Sequence, residues 1–165
     1  MNTFRTHITD ILDAHGVPYR LLPHTEAVFT VEAAARQRGV VPEEMIKSIL
    51  LRDRSEHYVM ACVPGASRVD PKAVQAALGE GWRRLHFASA EEIQAVTGCV
   101  QGAVAPIDLP NGVPVIFDEA IGRLARCNIS SGDPLCGLEL SAADLIRVAG
   151  GRLAAIVEGR TTGDG

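Results

Sequence analysis

The stretch Met45-Ile46-Lys47-Ser48-Ile49-Leu50-Leu51-Arg52, the polar tip Asp53-Arg54-Ser55-Glu56 and the run Tyr58-Val59-Met60-Ala61-Cys62-Val63 carry the decision about fold. Two apolar, strand-forming runs around a short charged turn predict a hairpin, Ile46 to Arg52 with Tyr58 to Val63. Helix signals stand on both sides of it. Asp70-Pro71 offers an N-cap followed by a first-turn proline, and Gly79 closes that helix. Ser89-x-x-Glu92 is a capping box for a helix running to Thr97, with Gly98 just past its end. Hairpins and helical crossovers in one chain predict an α/β (α+β-like) fold. It is a single compact domain with a mixed β-sheet or partial barrel and flanking helices.

The remaining elements follow the same logic. Phe4, Ile8, Ile11 and Leu12 share one face of a helix over Thr3 to His15, which Gly16 can stop. Val17 to Leu22 is a short strand. Thr30 can cap a helix over Val31 to Arg38 that ends at Gly39, and Pro42-Glu43-Glu44 is a turn or a single helical turn. Strands are expected near Arg84 to Phe87, over Val113 to Phe117 after the turn Pro110-Asn111-Gly112, and over Arg126 to Ser130. Ser141 caps a last helix that stops at Gly150-Gly151. The domain is expected to span 1–158, with 159–165 as a flexible tail.

Composition narrows the function classes. The chain has 165 residues, 47% of them hydrophobic but only 4% aromatic, so the core is built from Ala, Val, Leu and Ile. Its net charge of −4 argues against coating nucleic acid by charge alone, and no DNA partner is expected. No apolar run has the length of a membrane span, and the N-terminal residues carry no signal-peptide core, so no membrane partner is expected. Cys62, Cys99, Cys127 and Cys136 form no C-x-x-C pair and read as free thiols of a cytoplasmic protein. A Cys127–Cys136 disulfide is the minority alternative. His7 and His15 lie eight apart and no Cys/His cluster has ligand spacing, so neither a metal nor another cofactor is expected.

Two features point to chemistry. Among sixteen basic residues only Lys47 and Lys72 are lysines, and Lys47 sits inside an apolar strand. It is either a strand-edge lysine with its stem packed and its head in water, or an ammonium placed for a specific anion or carbonyl. The second feature is Gly98-Cys99-Val100-Gln101-Gly102-Ala103-Val104-Ala105-Pro106. Gly102 and Ala103 allow a ligand close to the backbone. Pro106, Pro110 and Pro114 stiffen the segment, so that N–H groups from Gly102 to Val104 can face a polarised oxygen. The alternative is an ordinary helix-to-strand connection.

Together these stretches resemble the YbaK / prolyl-tRNA-synthetase-associated domain family, the trans-editing aminoacyl-tRNA deacylases. The resemblance runs through His24 to Ala34, Met45 to Leu50, Thr97 to Pro106 with Val113 to Asp118, and Ile129 to Gly132 with Leu138 to Leu145. It implies that Lys47 is the functional, catalytic lysine and that Gly102 and Pro106 form a Gly-x-x-x-Pro loop lining the aminoacyl pocket; Gly98, Ala103 and Val104 of the same loop are expected to bind substrate with them. It also implies that Ser130 and Gly132 lie on a strand end facing that cleft, and that His24, Phe29 and Thr30 form an N-terminal pocket segment. The implied reaction is hydrolysis of the ester on a mischarged tRNA. In relatives the adenosine 2′-hydroxyl helps direct water, so no protein base is assigned. A synthetase is an implied partner.

Three departures bear on specificity. Cys99 stands where relatives often carry an aromatic residue, Gly102-Ala103 where many have paired glycines, and no histidine lies in the strand-end segment. Small pocket side chains favour alanine, cysteine, serine or a proline-like group. Cys99 reads as a pocket-wall thiol rather than a nucleophile. Asp118 either orients the cleft or caps the turn after it. Arg36-Gln37-Arg38, Arg52 with Arg54, and Arg83-Arg84 are either a face for the tRNA acceptor end or ordinary surface charge. The competing function is a non-catalytic tRNA-, nucleotide- or synthetase-binding module on the same fold. A general esterase is disfavoured, because no Gly-x-Ser-x-Gly elbow occurs.

Overall fold

In the computed structural model, residues 5–25 and 31–159 are described. The expected tail, except Gly159, and the expected cap Thr30 lie outside them, as does Phe29. The chain order is α1 (His7–Ala14), β1 (Tyr19–Pro23), α2 (Val31–Arg38), β2 (Ile46–Arg52) and β3 (Tyr58–Pro64). It continues with α3 (Pro71–Leu78), β4 (His86–Phe87), α4 (Ala90–Thr97), β5 (Val115–Asp118), β6 (Arg126–Asp133), β7 (Cys136–Ser141), α5 (Ala142–Ala149) and β8 (Arg152–Ala154).

Local chemistry explains the helix ends. Asp70 accepts from Lys72 N–H with Pro71 in the first turn, Ser89 and Glu92 exchange capping-box bonds, and Ser141 accepts from Asp144 N–H. Thr6 opens α1 in the same manner. Glu92 has a second task, since it also accepts from Arg52 at 2.6 Å and from Tyr58 at 3.0 Å. The Ser89 N–H, with Arg52, holds its carboxyl down at about 2.

Two sheets result. One is mixed, in the order β4-β2-β3-β5-β8, and the other is antiparallel, in the order β1-β7-β6. Among the described residues they meet through a parallel bridge between Met45 and Asn128 and do not close into a barrel. Strands β7 and β8 were not among the elements expected from the sequence. The larger core joins the facing sides of both sheets, with Leu50, Met60 and Phe117 against Ile129, Leu138 and Leu140. The smaller one lies on the other face of the mixed sheet, where Val74 of α3 covers Leu51, Val59 and Ala61. Each such burial is worth roughly 1.5–3 kcal/mol.

All four thiols are free, and Cys127 and Cys136 stand at opposite ends of the β6–β7 ladder, opposite Leu140 and Asp133. Burial pushes Cys62 and Cys127 up to about 12, which keeps both as unreactive thiols. Asp118 proves structural: its carboxylate accepts Ala120 N–H at 3.1 Å and Ile156 N–H at 3.0 Å and is fully buried.

The turn into β8 leaves no room for a side chain. A Cβ at Gly151 would lie 2.4 Å from Cε2 of Phe117, a ring with no exposed surface. Gly151→Ala is therefore expected to destabilise the domain by about 1–3 kcal/mol, the usual cost of overpacking. Urea titration measures this, and an unchanged midpoint would show that the ring has space to yield.

Candidate active site

Backbone parity in β2 creates the site. Gly65 N–H donates to Met45 O, so odd-numbered residues of β2 direct their peptide groups toward β3. Ala88 N–H donates to Leu50 O on the opposite edge, so even-numbered residues face away from β3. On that edge β4 pairs only with Leu51 and Arg52, and the Met45–Asn128 bridge covers the other end. Between them the peptide groups of Ser48 look onto an unpaired gap.

A cavity of about 490 Å³ fills this gap, a size suited to a small-molecule or nucleotide end. All six residues from Met45 to Leu50 line it. Side chains alternate across a strand, so six consecutive residues can share one cavity only when it lies beside the strand's edge. Lys47, half-buried, is among them. Gln101-Gly102-Ala103-Val104 line it as well, together with Ile129 and Ser130.

The loop wall is a type II β-turn. Val100 O accepts Ala103 N–H at 3.0 Å, and Gly102 takes φ +89° at the third position. Ala103 N–H is thereby spent inside the turn and cannot serve a ligand, which corrects the expectation of three loop donors. Gly102 N–H and Val104 N–H have no partner among the described residues.

One end of the cavity is closed and polar. His24, 8% exposed, directs Nδ1 at Pro134 O at 3.0 Å and receives Arg38 Nε–H on Nε2 at 3.2 Å. Those partners require the neutral tautomer with its proton on Nδ1. Burial, with Arg38's charge, lowers the His24 pKa in agreement. Arg38, expected on a surface face with Arg36, instead turns inward and lines the cavity. Burial lowers its pKa to about 10, so it remains a cation at neutral pH. At the other end Phe87 forms part of the rim and is 61% exposed.

The expected site residues thus divide. His24, Lys47, Gly102, Ala103, Val104 and Ser130 line one cavity. Gly98, Gly132 and Cys99 line a separate cavity of about 200 Å³ beside α1, where His7 meets Asp108. A bulge between Ser130 and Asp133, with Gly132 at φ +97°, swings Gly132 toward Ile8 and away from the main cavity. Pro106 is buried between Ala105 and Ile107 and braces the loop from behind. Arg52 is neutralised by Glu92, whereas Arg83 and Arg84 are exposed. The sequence reading missed Arg38, the Ser48 edge and Phe87.

Comparison with known proteins settles the family. A model of the aminoacyl-tRNA editing domain matches residues 25–148, three quarters of the chain. This chain belongs to the aminoacyl-tRNA editing domain family. A candidate Cys-tRNA(Pro)/Cys-tRNA(Cys) deacylase of Enterococcus faecalis, EbsC, is 21% identical over 154 residues, 92% of this chain and 93% of that one. The proline–tRNA ligase of Bacillus licheniformis is 31% identical over 103 residues, 62% of this chain, but the match spans only 18% of the ligase. A crystal structure of a candidate trans-editing enzyme for prolyl-tRNA synthetase superposes with a TM-score of 0.76 at 21% identity. That match covers 94% of this chain and all of the other, and it shows the shared fold. Among the described residues no helix is long and apolar enough to cross a membrane, and no three metal-ligating side chains cluster.

Proposed function

We propose that this chain is an aminoacyl-tRNA deacylase acting in trans, which hydrolyses the ester of a mischarged tRNA bearing a small amino acid. Alanine, cysteine, serine and proline-like groups form the expected class. The observation that carries the reading is one cavity bordered by both Lys47 and the Gly102 turn, in a chain of the editing family. The similarity to EbsC, whose name is that of a tRNA deacylase, supports the reaction. A cytoplasmic location belongs to the same proposal, because mischarged tRNA is met where translation takes place. The match to a ligase supports a prolyl-tRNA synthetase as the partner whose errors are cleared.

The chemistry asks little of a protein base. Water attacks the ester carbonyl, the bond to the terminal ribose oxygen breaks, and the ribose recovers its hydroxyl while the amino acid leaves as a carboxylate. Two contributions are needed: a fixed approach for water and donors for the developing oxyanion. Gly102 and Val104 N–H are the loop candidates. Lys47 brings the cationic charge, and Ser48 peptide groups at the open edge hold the acyl or ribose portion. Pro106 and Gly98 act from outside the cavity, by fixing the two ends of the loop. Phe29 and Thr30 belong to the proposed pocket on family resemblance alone, as Gly132 does to the strand end.

Incubating the protein with tRNAs mischarged with Ala, Cys, Ser and Pro tests this directly. Ester loss well above the spontaneous rate is expected for at least one of them. Tight tRNA binding with no ester loss across the panel would instead establish a binding module.

A further inference from the structure

Arg38 is an odd residue to find where it is. It stands in the last turn of α2, after Ala34 and Ala35, which are both 6% exposed and pack against Met45. Its guanidinium lies flat on β7, since a Cβ at Gly137 would fall 2.0 Å from Arg38 Nε and 2.2 Å from Cζ. Its Nη1 meets Met45 Sδ at 3.6 Å, and its Nε donates to neutral His24. No carboxylate among the described residues lies within ion-pair distance of it. Asp133 borders the same end, but Leu135 N–H holds its carboxylate at 2.8 Å, turned into the strand-connecting turn.

A half-buried guanidinium with no carboxylate partner among the described residues is costly in a resting protein. It is repaid only when an anion or strong acceptor arrives, and the guanidinium's fork suits a carboxylate. The burial gradient says which part of a substrate arrives there. Beside Arg38 the lining is His24, Met45 and Ala34, all under 9% exposed, whereas Phe87 in the same lining is 61% exposed. A polynucleotide must remain at the open end, so the group reaching Arg38 is the tip of the acyl side chain rather than a phosphate.

Resting on the deacylase reading, we propose that Arg38 is a specificity residue that selects small acyl groups whose side chain ends in oxygen, a carboxylate most strongly. This extends and reorders the expected class of small groups: aspartyl groups head it, asparaginyl and seryl groups follow, and alanyl and prolyl groups come last. His24 is a positioning residue, because its Nε2 fixes the plane of the guanidinium without touching the acyl group. Gly137 makes room for that plane.

The test uses the full chain and amide-linked, non-hydrolysable 3′-aminoacyl-adenosine analogues bearing Asp, Asn or Ala, with binding read by calorimetry. In the wild type the Asp analogue is expected to bind at least about tenfold more tightly than the Ala analogue, given a half-buried cation lining the cavity. Arg38→Met should bring that ratio near one while leaving Ala binding almost unchanged. Arg38→Lys, which keeps the charge and loses the fork, should fall between them. Equal Asp and Ala binding by the wild type overturns the proposal. So does an equal loss for all analogues in Arg38→Met, or a loss confined to analogues carrying a 5′-phosphate, which would make Arg38 a phosphate anchor. Arg38-dependent Asp preference with no ester loss from any mischarged tRNA, Asp-tRNA included, would refute the deacylase reading and leave the recognition by Arg38 standing.

Discussion

Lys47→Ala is expected to lower single-turnover deacylation by about 10²-fold or more, the scale of losing one oxyanion-stabilising donor. The change should appear mainly in the chemical step, with tRNA affinity shifted much less. Lys47 pairs across the ladder with Val63, and its peptide groups face β3, so the backbone contribution survives the substitution. What is removed is one ammonium beside a cavity that the Gly102 turn also lines. Lys47→Arg separates two roles. If a compact charge close to the carbonyl is required, arginine should restore little, because its fork is longer and spreads the charge. If the cation holds a phosphate, arginine should restore most of the rate, and the salt dependence of KM should be preserved. Wild-type rates from Lys47→Ala would remove the lysine from the mechanism altogether.

The ease of reading this chain tracks how local each determinant is. Caps at Asp70, Ser89 and Ser141 act over three residues, and those helices stand where the sequence puts them. The hairpin Ile46 to Arg52 with Tyr58 onward is equally local, a charged turn between two apolar runs. Strand β7 was missed because Gly137 and Glu139 blur its alternation. Its extended form is imposed by two partners, β1 and β6. Three-residue β8 owes its existence to a parallel pairing with β5. In the site the same rule holds. Lys47 and Gly102 announce themselves by being odd in their own segments. Arg38 looks like one member of a surface pair with Arg36, and only the far-off Gly137 gives it a place to lie. Gly132 was misplaced for a comparable reason, since the β6–β7 register slips by two residues between Ser130 and Asp133 and the extra chain leaves the ladder there.

Gly102→Val is expected to reduce deacylation by about 10²-fold through the loop alone, with Lys47 intact. Two effects act together. At φ +89° a β-branched residue is strained by about 1–3 kcal/mol, so the turn that ties Val100 to Ala103 must open or shift. The added branch also enters the wall of the cavity where the backbone is meant to approach the substrate. Gly102→Ala separates the two, since it carries much of the strain with little of the bulk. If bare backbone is what matters, alanine should lose less rate than valine by a wide margin, although both lower the urea midpoint comparably. The readout is a single-turnover rate at a temperature where both variants are folded, set beside the denaturation curve. A valine variant that melts early yet cleaves at the wild-type rate would show that the turn is scaffold. The oxyanion would then have to be met from the Ser48 edge of the cavity, where peptide groups also face the gap.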